Sequence, residues 1–451
     1  MSCEYSTWPR VSVAELIESG VILRQKDGNY GSKYPRASEF GAKGIPFLTA
    51  SSLSDGEIDI EGAPRLPEHR SVGLEYGFVE PNDVLLSHNA TVGRVAIVPD
   101  WDARLMVGTS LTYYRVDTDR LLPGYLAAYF VAADFQNQLA AVMSHTTRNQ
   151  VPITAQRHLE IVVPPMAVQR GIAHTLGSIN SKIANNRALA ADLEAIARAI
   201  FKSWFVDFDP VKANMEGRPP VGMDADTAAL FPDELIESEL GSIPKGWEVA
   251  SLDSKARLDT TSVKPFDQPE TKWSHYSIPA FDDGGYPAND LGSEIKSGKH
   301  LVNPEAILIS KLNPSQWRCW RPDPLIVDEH AICSPEFMQI VGKDVSRNWI
   351  WGLCHSQKFK DQVNSTTDGT TGSRQRAKPK VVMQQLVVFP AADIEKLYND
   401  TVRPILNRVD VLSHETQELV SLRDNLLPRL ISGRLRLPGS ENKSNESYSD
   451  V

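Results

Sequence analysis

The chain has 451 residues, more than one hydrophobic core normally serves, so we expect at least two domains. Its 41% hydrophobic and 23% charged residues are typical of a globular protein, and it has no apolar run of roughly eighteen residues that could form a membrane-spanning helix. The formal net charge of −10 disfavours nucleic-acid binding through overall charge, although local basic loops such as SRQRAKPK at 373–380 remain compatible with it.

The N-terminus and the cysteines bear on location and on metal binding. The chain begins with MSCEYSTWPR, which lacks the basic start and apolar segment of an export signal, so we expect a cytoplasmic protein. The four cysteines form no C-x-x-C pair, and the ten histidines show no metal-ligand spacing. We therefore predict neither a disulfide framework nor a metal site in this chain.

Residues 1–165 are predicted to form a first globular domain of mixed α/β type. One stretch, DVLLSHNATVGRVAIVP, predicts a buried strand that ends in a polar turn. A later stretch, TTRNQVPITAQRHLEIVVPP, predicts a polar loop, a short amphipathic segment and a β-branched strand closed by two prolines. Both stretches place polar side chains close to apolar strands.

A long helix is predicted for residues 166–206, because apolar residues recur every seventh position with a second set four residues later. This spacing is typical of a coiled-coil seam. We expect the seam to contain Ile172, Leu176, Ile179, Ile183, Asn186, Leu193 and Ile200. The polar member, Asn186, would fix the register at some cost in stability. An amphipathic helix packed only on its own domain would explain the same stripe, so that alternative stays open.

The rest of the chain follows the same plan after a connector. We predict a connector at 207–242, a second globular domain at 243–390 and a second long helix at 391–433. The seam of this helix is expected at Ile405, Val409, Leu412, Leu419 and Leu426. Pro404 would kink the helix or mark its start. The polar residues 434–451 are predicted to be a disordered tail.

The second half of the chain repeats the first at a nearly constant offset. Pro164 aligns with Pro390 and Arg148 with Arg374, and both pairs are 226 positions apart (390 − 164 and 374 − 148). The same offset carries the first seam onto the second. We therefore predict an α/β (α+β) fold with two globular domains in a pseudo-two-fold arrangement, joined by two long antiparallel coiled-coil helices.

Such a duplicated molecule suits a ligand with two parts, and DNA half-sites roughly 34 Å apart are a natural candidate. The sequence contains no G-x-x-x-x-G-K-[ST] loop and no amino-methyltransferase signature. A metal-dependent nuclease needs clustered carboxylates and a lysine, and Asp283, Glu294 and Lys296 resemble such a set. The segment DDGGYPAND around Asp283 is more typical of a turn.

The connector and the end of the second helix carry a family resemblance. Residues 201–220 read FKSWFVDFDPVKANMEGRPP, residues 229–249 read ALFPDELIESELGSIPKGWEV, and residues 422–438 read LRDNLLPRLISGRLRLP. These phrases closely resemble the conserved central and distal regions of specificity subunits from type I restriction-modification systems. The resemblance covers essentially the whole chain apart from the tail GSENKSNESYSDV.

This resemblance implies a non-catalytic subunit that binds double-stranded DNA. Each globular domain would be a target-recognition domain that reads one half of a bipartite asymmetric site, and the helices would set the spacer. Two methyltransferase (modification) subunits would dock on the chain, and motor/nuclease (restriction) subunits would complete the complex. S-adenosylmethionine, ATP and Mg would then be held by the partner subunits, and the biological roles would be DNA methylation and phage defence.

Candidate base-reading residues follow from this expectation and from side-chain chemistry, since Arg and Lys suit guanine, Asn and Gln suit adenine, and hydroxyl groups suit either. In the first domain we predict Ser87, His88, Asn89, Thr91, Thr147, Arg148, Asn149 and Gln150. In the second domain we predict Ser310, Lys311, Asn313, Gln316, Ser373, Arg374, Gln375, Arg376 and Lys378. For each residue the alternative is a phosphate contact or a solvated loop position.

Two other functions stay open at this point. A non-DNA adaptor with duplicated interaction domains would share the repeat and the paired helices. A stand-alone metal-dependent nuclease would need Asp283, Glu294 and Lys296. The aromatic residues Trp204, Phe205 and Phe208 are predicted to pack the end of the first long helix against the connector, with a methyltransferase contact as the second interpretation.

Overall fold

The structure is a computed structural model, and it describes residues 8–144, 149–367 and 375–437. The chain divides into two compact units. The first unit comprises Met1–Asn186 together with Glu415–Val451, and the second comprises Arg187–His414. Both divisions fall inside the long helices, so each unit combines one globular head with one half of each helix.

The described residues of the first unit form twelve strands, the helices up to the first long helix and the end of the second long helix. The strands are β1 Arg10–Ser12, β2 Ile22–Asp27, β3 Ile45–Leu48, β4 Leu53–Ser54, β5 Glu57–Ile58, β6 Arg65–Leu66, β7 Phe78–Val79, β8 Val84–Ser87, β9 Val95–Ile97, β10 Leu105–Val107, β11 Leu111–Val116 and β12 Glu160–Val162. The helices are α1 Val13–Glu18, α2 Pro123–Val131, α3 Ala133–Ser144, α4 Ile153–Gln156 and the long α5 Met166–Phe205, which continues into the second unit.

The second unit follows with the connector elements and a second head. Its helices are α6 Asp209–Met215, α7 Ala225–Ala228, α8 Leu252–Lys255, α9 Ile278–Asp282, α10 Arg347–His355, α11 Gln357–Ser365, α12 Pro379–Met383 and the long α13 Ala392–Ile431. Its strands are β13 Leu235–Ser238, β14 Gly241–Pro244, β15 Glu248–Ser251, β16 Ala256–Asp259, β17 Ser262–Val263, β18 Lys272–Tyr276, β19 Ala288–Leu291, β20 Lys299–Leu301, β21 Ala306–Ser310, β22 Cys319–Trp320, β23 Ala331–Cys333, β24 Phe337–Gly342 and β25 Leu386–Phe389.

Each head contains the same two sheets. An antiparallel sheet has the order β2-β11-β8-β9 in the first head and β16-β24-β21-β22 in the second. The other sheet has the order β6-β3-β10-β7 in the first head and β19-β18-β23-β20-β17 in the second, and its central pair is parallel in both. A short antiparallel pair, β1 with β12 or β15 with β25, leads to the long helix. The duplicated fold is therefore confirmed in the order of the shared strands, while β17 extends the second sheet of the second head and the β4–β5 pair is an addition in the first.

The antiparallel sheet of each head is buried on both faces, which explains why its central strand reads as a continuous apolar run. In the first head, Val84 and Leu86 face the helices α2 and α3, whereas Leu85 faces the second sheet. In the second head, Ile307 and Ile309 lie in the core that also contains α10 and α11, and the alternate residues of β21 face the other sheet. Each head is therefore a helix layer, a sheet and a second sheet, in agreement with the predicted α/β class.

The two long helices run antiparallel, as predicted. In the first unit, Asn186 donates from Nδ2 to Oε2 of Glu415 at 3.0 Å, and Lys182 forms a salt bridge with Glu415 at 3.2 Å. Nearer the start of α5, Asn180 accepts a hydrogen bond from Arg423, which lies later in α13. Later residues of α5 thus contact earlier residues of α13, as in an antiparallel helix pair.

The same pairing occurs in the second unit through aromatic rings. Phe201 and Trp204 of α5 pack against Tyr398 of α13, with ring centroids 5.7 and 6.0 Å apart. Trp204 also packs against Phe231, and Phe205 packs against Trp247. These rings therefore hold the end of α5 against the connector and the start of the second head, where we expected packing.

The predicted seam needs a correction in its details. Six of its twelve residues are buried, namely Ile172, Leu176, Ile183, Asn186, Val409 and Leu412. The other six are only partly buried, namely Ile179, Leu193, Ile200, Ile405, Leu419 and Leu426. In the second unit, Phe201 and Leu406 are buried instead. A straight helix drifts away from a strict seven-residue repeat, and here the helices contact the heads as well as each other, so the buried stripe is wider than the seam.

Two other expectations for the second half are also corrected. Pro404 lies inside α13 on an exposed face, so the interpretation that it marks the start of the helix is wrong. The predicted disordered tail begins too early, because Leu435 and Leu437 pack against the core of the first unit. Residues 438–451 lie outside the described part of the chain. Within the described residues, none of the helices combines the length and apolar character needed to span a lipid bilayer.

Candidate nucleic-acid interface

Three chain segments meet at one edge of the first head, and we call them the first loop junction: residues 88–91, 108–110 and 149–151. The main chain of Asn89 bridges antiparallel to that of Gln150. Val151 donates from its backbone N–H to the His88 carbonyl at 2.9 Å. The His88 N–H in turn donates to the Ser110 carbonyl at 2.9 Å. The turn after β8, the turn before β11 and the loop before α4 are therefore held together by main-chain hydrogen bonds.

The second head has the equivalent arrangement, the second loop junction: residues 311–316, 334–336 and 375–377. Leu312 bridges antiparallel to Arg376. The Ala377 N–H donates to the Lys311 carbonyl at 2.8 Å, and the Lys311 N–H donates to the Glu336 carbonyl at 2.9 Å. The two polar loops that the sequence suggested separately in each half thus lie side by side in both heads.

Local chemistry shapes the turn after each central strand. Asn313 has φ 47° and Ala90 has φ 64°, both in the left-handed region, which asparagine tolerates better than most residues. The Ser87 hydroxyl accepts a hydrogen bond from the Arg94 N–H at 2.8 Å, and the Ser310 hydroxyl donates to the Leu312 carbonyl at 2.9 Å. The hydroxyl group of each serine therefore stabilises the turn after its strand by a hydrogen bond to the backbone.

Three predicted base-reading residues are corrected by their burial. Ser87, His88 and Ser310 are 0%, 1% and 2% exposed, so their side chains do not face solvent. The His88 ring lies 2.9 Å from the Thr112 hydroxyl through Nδ1, and burial lowers the pKa of His88, which keeps the ring neutral at pH 7. These three side chains shape the junctions, and we remove them from the set of ligand-facing residues.

The remaining described candidates lie on or beside the two junctions with varying exposure. In the first head, Thr91 and Asn149 are exposed, and Asn89 and Gln150 are partly buried. In the second head, the exposed residues are Gln316, Arg376 and Lys378, and the partly buried residues are Lys311, Asn313 and Gln375. Thr147, Arg148, Ser373 and Arg374 lie outside the described residues.

Several of these side chains already have protein partners. Gln316 accepts a hydrogen bond from Arg318 at 2.9 Å, and Arg318 forms a two-point salt bridge with Asp282 at 2.6 and 2.8 Å. Arg376 pairs with Glu336. The Oδ1 atom of Asn313 is buried and has no hydrogen-bond partner among the described residues, so the second junction contains an unsatisfied acceptor.

Glu336 and Ser110 are junction residues that the sequence reasoning missed. Both lie in the turn that precedes a central strand, β24 or β11, whereas the prediction considered polar turns after strands and the loops before α4 and α12. The apolar strand that follows each residue was the available signal, because a polar turn at either end of a buried strand can reach the same edge of a sheet.

Two of the residues proposed for a nuclease site, Glu294 and Lys296, form hydrogen bonds within their own turn. Glu294 accepts a hydrogen bond from the Leu291 N–H at 3.0 Å, and Lys296 donates to the Ser293 carbonyl at 2.5 Å. The described residues contain no group of three or more His, Cys, Asp or Glu side chains that could hold a metal ion. No observation on these residues therefore favours a nuclease site.

The fold defines a class of protein in which two units of like topology each combine a two-sheet head with part of two antiparallel long helices. No protein-family model matches the chain. Two curated relatives are each 22% identical to it: the type I restriction enzyme MjaIX specificity subunit of Methanocaldococcus jannaschii, with 89% of each chain covered, and the HindI specificity subunit of Haemophilus influenzae, with 95% of this chain and 100% of the relative covered.

A solved structure shares the fold. It is the S subunit of a type I restriction-modification system from M. genitalium, which is 12% identical and matches with a TM-score of 0.53 over 95% of this chain and 97% of that one. The whole-length sequence similarity and the common fold agree. Over most of its length the chain is therefore similar to specificity subunits of type I restriction-modification systems, and it shares the fold of a solved S subunit.

Proposed function

We propose that the chain is the DNA-reading subunit of a type I complex, with each loop junction contacting one half of a bipartite asymmetric site. The observation that carries this proposal is the duplicated junction, in which equivalent backbones present unlike side chains. Asn89 and Gln150 bridge in the first head, and Leu312 and Arg376 bridge at the equivalent place in the second. A shared scaffold with different polar groups is what reading two different half-sites requires.

The side chains at the junctions fit the donors and acceptors of the major groove. Amide groups of Asn149 and Gln150 can pair with adenine, and the cationic groups of Lys311, Arg376 and Lys378 can pair with guanine or with phosphate. The second junction also contains the buried acceptor of Asn313, which needs a donor. Exposed cations concentrated in a loop allow local phosphate contact despite the net charge of −10.

The paired helices are proposed to set the spacer between the half-sites. Each unit contains half of both helices, and each half-pair is fixed by specific contacts such as Asn186 with Glu415. A helix rises about 1.5 Å per residue, so helix length translates directly into separation along DNA.

We also propose that two methyltransferase subunits dock on the chain and that motor subunits complete the complex. S-adenosylmethionine, ATP and Mg would be held by those partners. The connector offers apolar contacts for docking, because Met215, Val221, Leu230 and Ile236 are large apolar residues with exposed side chains. Their position next to the helix ends would place a partner beside a head.

Methylation mapping tests this function. The chain is co-expressed with its methyltransferase subunit, the complex is purified, and adenine methylation is mapped in cellular DNA. We expect one bipartite motif with two unlike halves and a constant spacer. Co-purification without sequence-specific methylation or DNA binding would instead favour an adaptor, and metal-dependent DNA cleavage by the isolated chain would favour a nuclease.

A further inference from the structure

Arg376 and Glu336 form a two-point ion pair at the second loop junction. The Nε atom of Arg376 lies 3.1 Å from Oε2 of Glu336, and Nη2 lies 3.0 Å from Oε1. The two residues come from different segments, because Glu336 directly precedes β24 and Arg376 lies three residues before α12. The Arg376 side chain is nevertheless 50% exposed. The pair is thus both fixed in direction and open to solvent.

The geometry divides the guanidinium into two edges. Glu336 takes the side edge, formed by Nε and Nη2, and raises the pKa of Arg376 by its hydrogen bonds and charge. The end edge, formed by Nη1 and the second hydrogen of Nη2, lies outside this two-point contact. Two parallel N–H groups at that edge match the O6 and N7 acceptors of guanine in the major groove.

Resting on the function proposed above, we propose that Glu336 positions Arg376 to read a guanine in the half-site of the second head. Arg376 is the specificity-determining residue and Glu336 is the positioning residue. An unpaired arginine side chain loses rotamer freedom when it binds a base. Because the Glu336 carboxylate already fixes the guanidinium of Arg376, that entropic cost is smaller. The pair therefore favours a bidentate base contact over a diffuse attraction to phosphate.

The first head provides a natural comparison. Gln150 stands where Arg376 stands in the second head, because each bridges to the turn after the central strand. Ser110 stands where Glu336 stands, because each accepts a hydrogen bond through its carbonyl from the residue that follows the central strand. The Ser110 hydroxyl is used inside the head, where it accepts from the Ala50 N–H at 2.8 Å. At these two equivalent positions the first junction therefore has neither the guanidinium nor the carboxylate, so this arginine–glutamate pair belongs to the second junction.

A purely structural role for the pair is disfavoured by its exposure. Solvent-exposed ion pairs contribute little to folding, since water screens them and holding two long side chains costs entropy. Substitutions in the pair are therefore expected to leave thermal unfolding unchanged and to report on DNA binding.

The test uses the complex of the full chain with its methyltransferase subunit and a library of DNA sites in which each half-site base is varied. Arg376→Lys keeps the positive charge but removes the planar fork. We expect roughly ten- to hundred-fold weaker binding to the cognate site, with relaxed preference at one guanine of the second half-site only. Glu336→Gln should give a smaller loss at the same base pair, because the fork remains but its hold is weaker.

The matched control is Arg70→Lys in the first head. Arg70 forms a salt bridge with Glu39, with Nε 2.9 Å from Oε1, and donates one hydrogen bond from Nη2 to Oε2 at 3.2 Å. It follows β6 in the chain, outside the first loop junction. This variant should bind and methylate like the parent. Unchanged base preference in Arg376→Lys would overturn the proposal, as would a uniform loss over all sequences. Failure of the unaltered complex to recognise any bipartite site would instead refute the proposed function.

Discussion

Asn186 and Glu415 are joined by a hydrogen bond of 3.0 Å in the middle of the long helices, although Asn186 is only 2% exposed. The carboxylate of Glu415 also pairs with Lys182, so it bridges the asparagine to solvent-exposed charge. A buried amide that reaches a charged partner in this way satisfies its hydrogen bond and defines one alignment of the two helices.

Replacing this asparagine with leucine should stabilise the chain. Asn186→Leu adds apolar burial and leaves Glu415 paired with Lys182, so we expect the free energy of unfolding to rise by about 1 kcal/mol. Denaturant unfolding measures the change, with Leu189→Ala as an exposed-position control. A fall in stability would mean that the Asn186 hydrogen bond contributes more than burial of leucine.

Shortening both helices should alter the spacer and nothing else. Removal of one heptad from α5 and the facing heptad from α13 shortens the pair by about 10 Å, or about three base pairs. Methylation mapping should then show the same two half-sites with a shorter spacer. An unchanged spacer would contradict the proposed role of the helices.

Loss of an amide at the first junction should affect one half-site. Gln150→Ala removes a group suited to adenine, so we expect site-specific binding to weaken by about 1–3 kcal/mol, with relaxed preference in the first half-site only. Competition binding with half-site libraries measures this. An equal loss for every sequence would reassign Gln150 to a phosphate contact.

Stability should decrease below neutral pH because of a buried histidine in the second head. Burial lowers the pKa of His355 to about 4, the hydrogen bond between Nδ1 and the Trp351 carbonyl opposes this shift, and the charges of Arg198 and Lys360 reinforce it. The unfolded state takes up the proton first, near its ordinary pKa of about 6.5. The stabilising effect of a neutral His355 is therefore complete above pH 6.5 and is lost as the pH falls toward 4.

The full size of this effect is on the order of 3 kcal/mol, since the pKa difference is about 2.5 units and each unit corresponds to about 1.4 kcal/mol. His355→Gln keeps a donor for the Trp351 carbonyl but does not titrate. The difference in unfolding free energy between the parent and this variant should change between pH 7 and pH 4.5. A difference that stays constant over that range would show that His355 has an ordinary pKa.

Much of the architecture could be predicted because it rests on local patterns. The apolar runs that became β8 and β21, the prolines after β12 and β25, and the apolar spacing of α5 and α13 are all visible within short windows of sequence. The repeat made these predictions stronger, since Arg148 and Pro164 recur together at one offset. The predicted duplicated α/β fold with antiparallel long helices followed from them.

The exposure of individual side chains was beyond the reach of those patterns. Ser87 and Ser310 are polar residues at strand ends, and the sequence does not reveal that other segments cover them. In the same way, the heptad pattern placed Ile200 on the seam, whereas the structure buries Phe201, whose ring contacts Trp349 of the second head. The burial of a side chain depends on which segments, distant in sequence, pack against it, and a short window of sequence does not contain this information.

The sequence by itself thus determined that the chain contains two copies of one design, each ending in a long helix, because strand and helix periods are properties of neighbouring residues. The tertiary structure alone decided which polar residues share a junction and which of them point outward. Glu336 and Arg376 lie forty positions apart in the chain, and only the pairing of β21 with β24 and of Leu312 with Arg376 brings their side chains together.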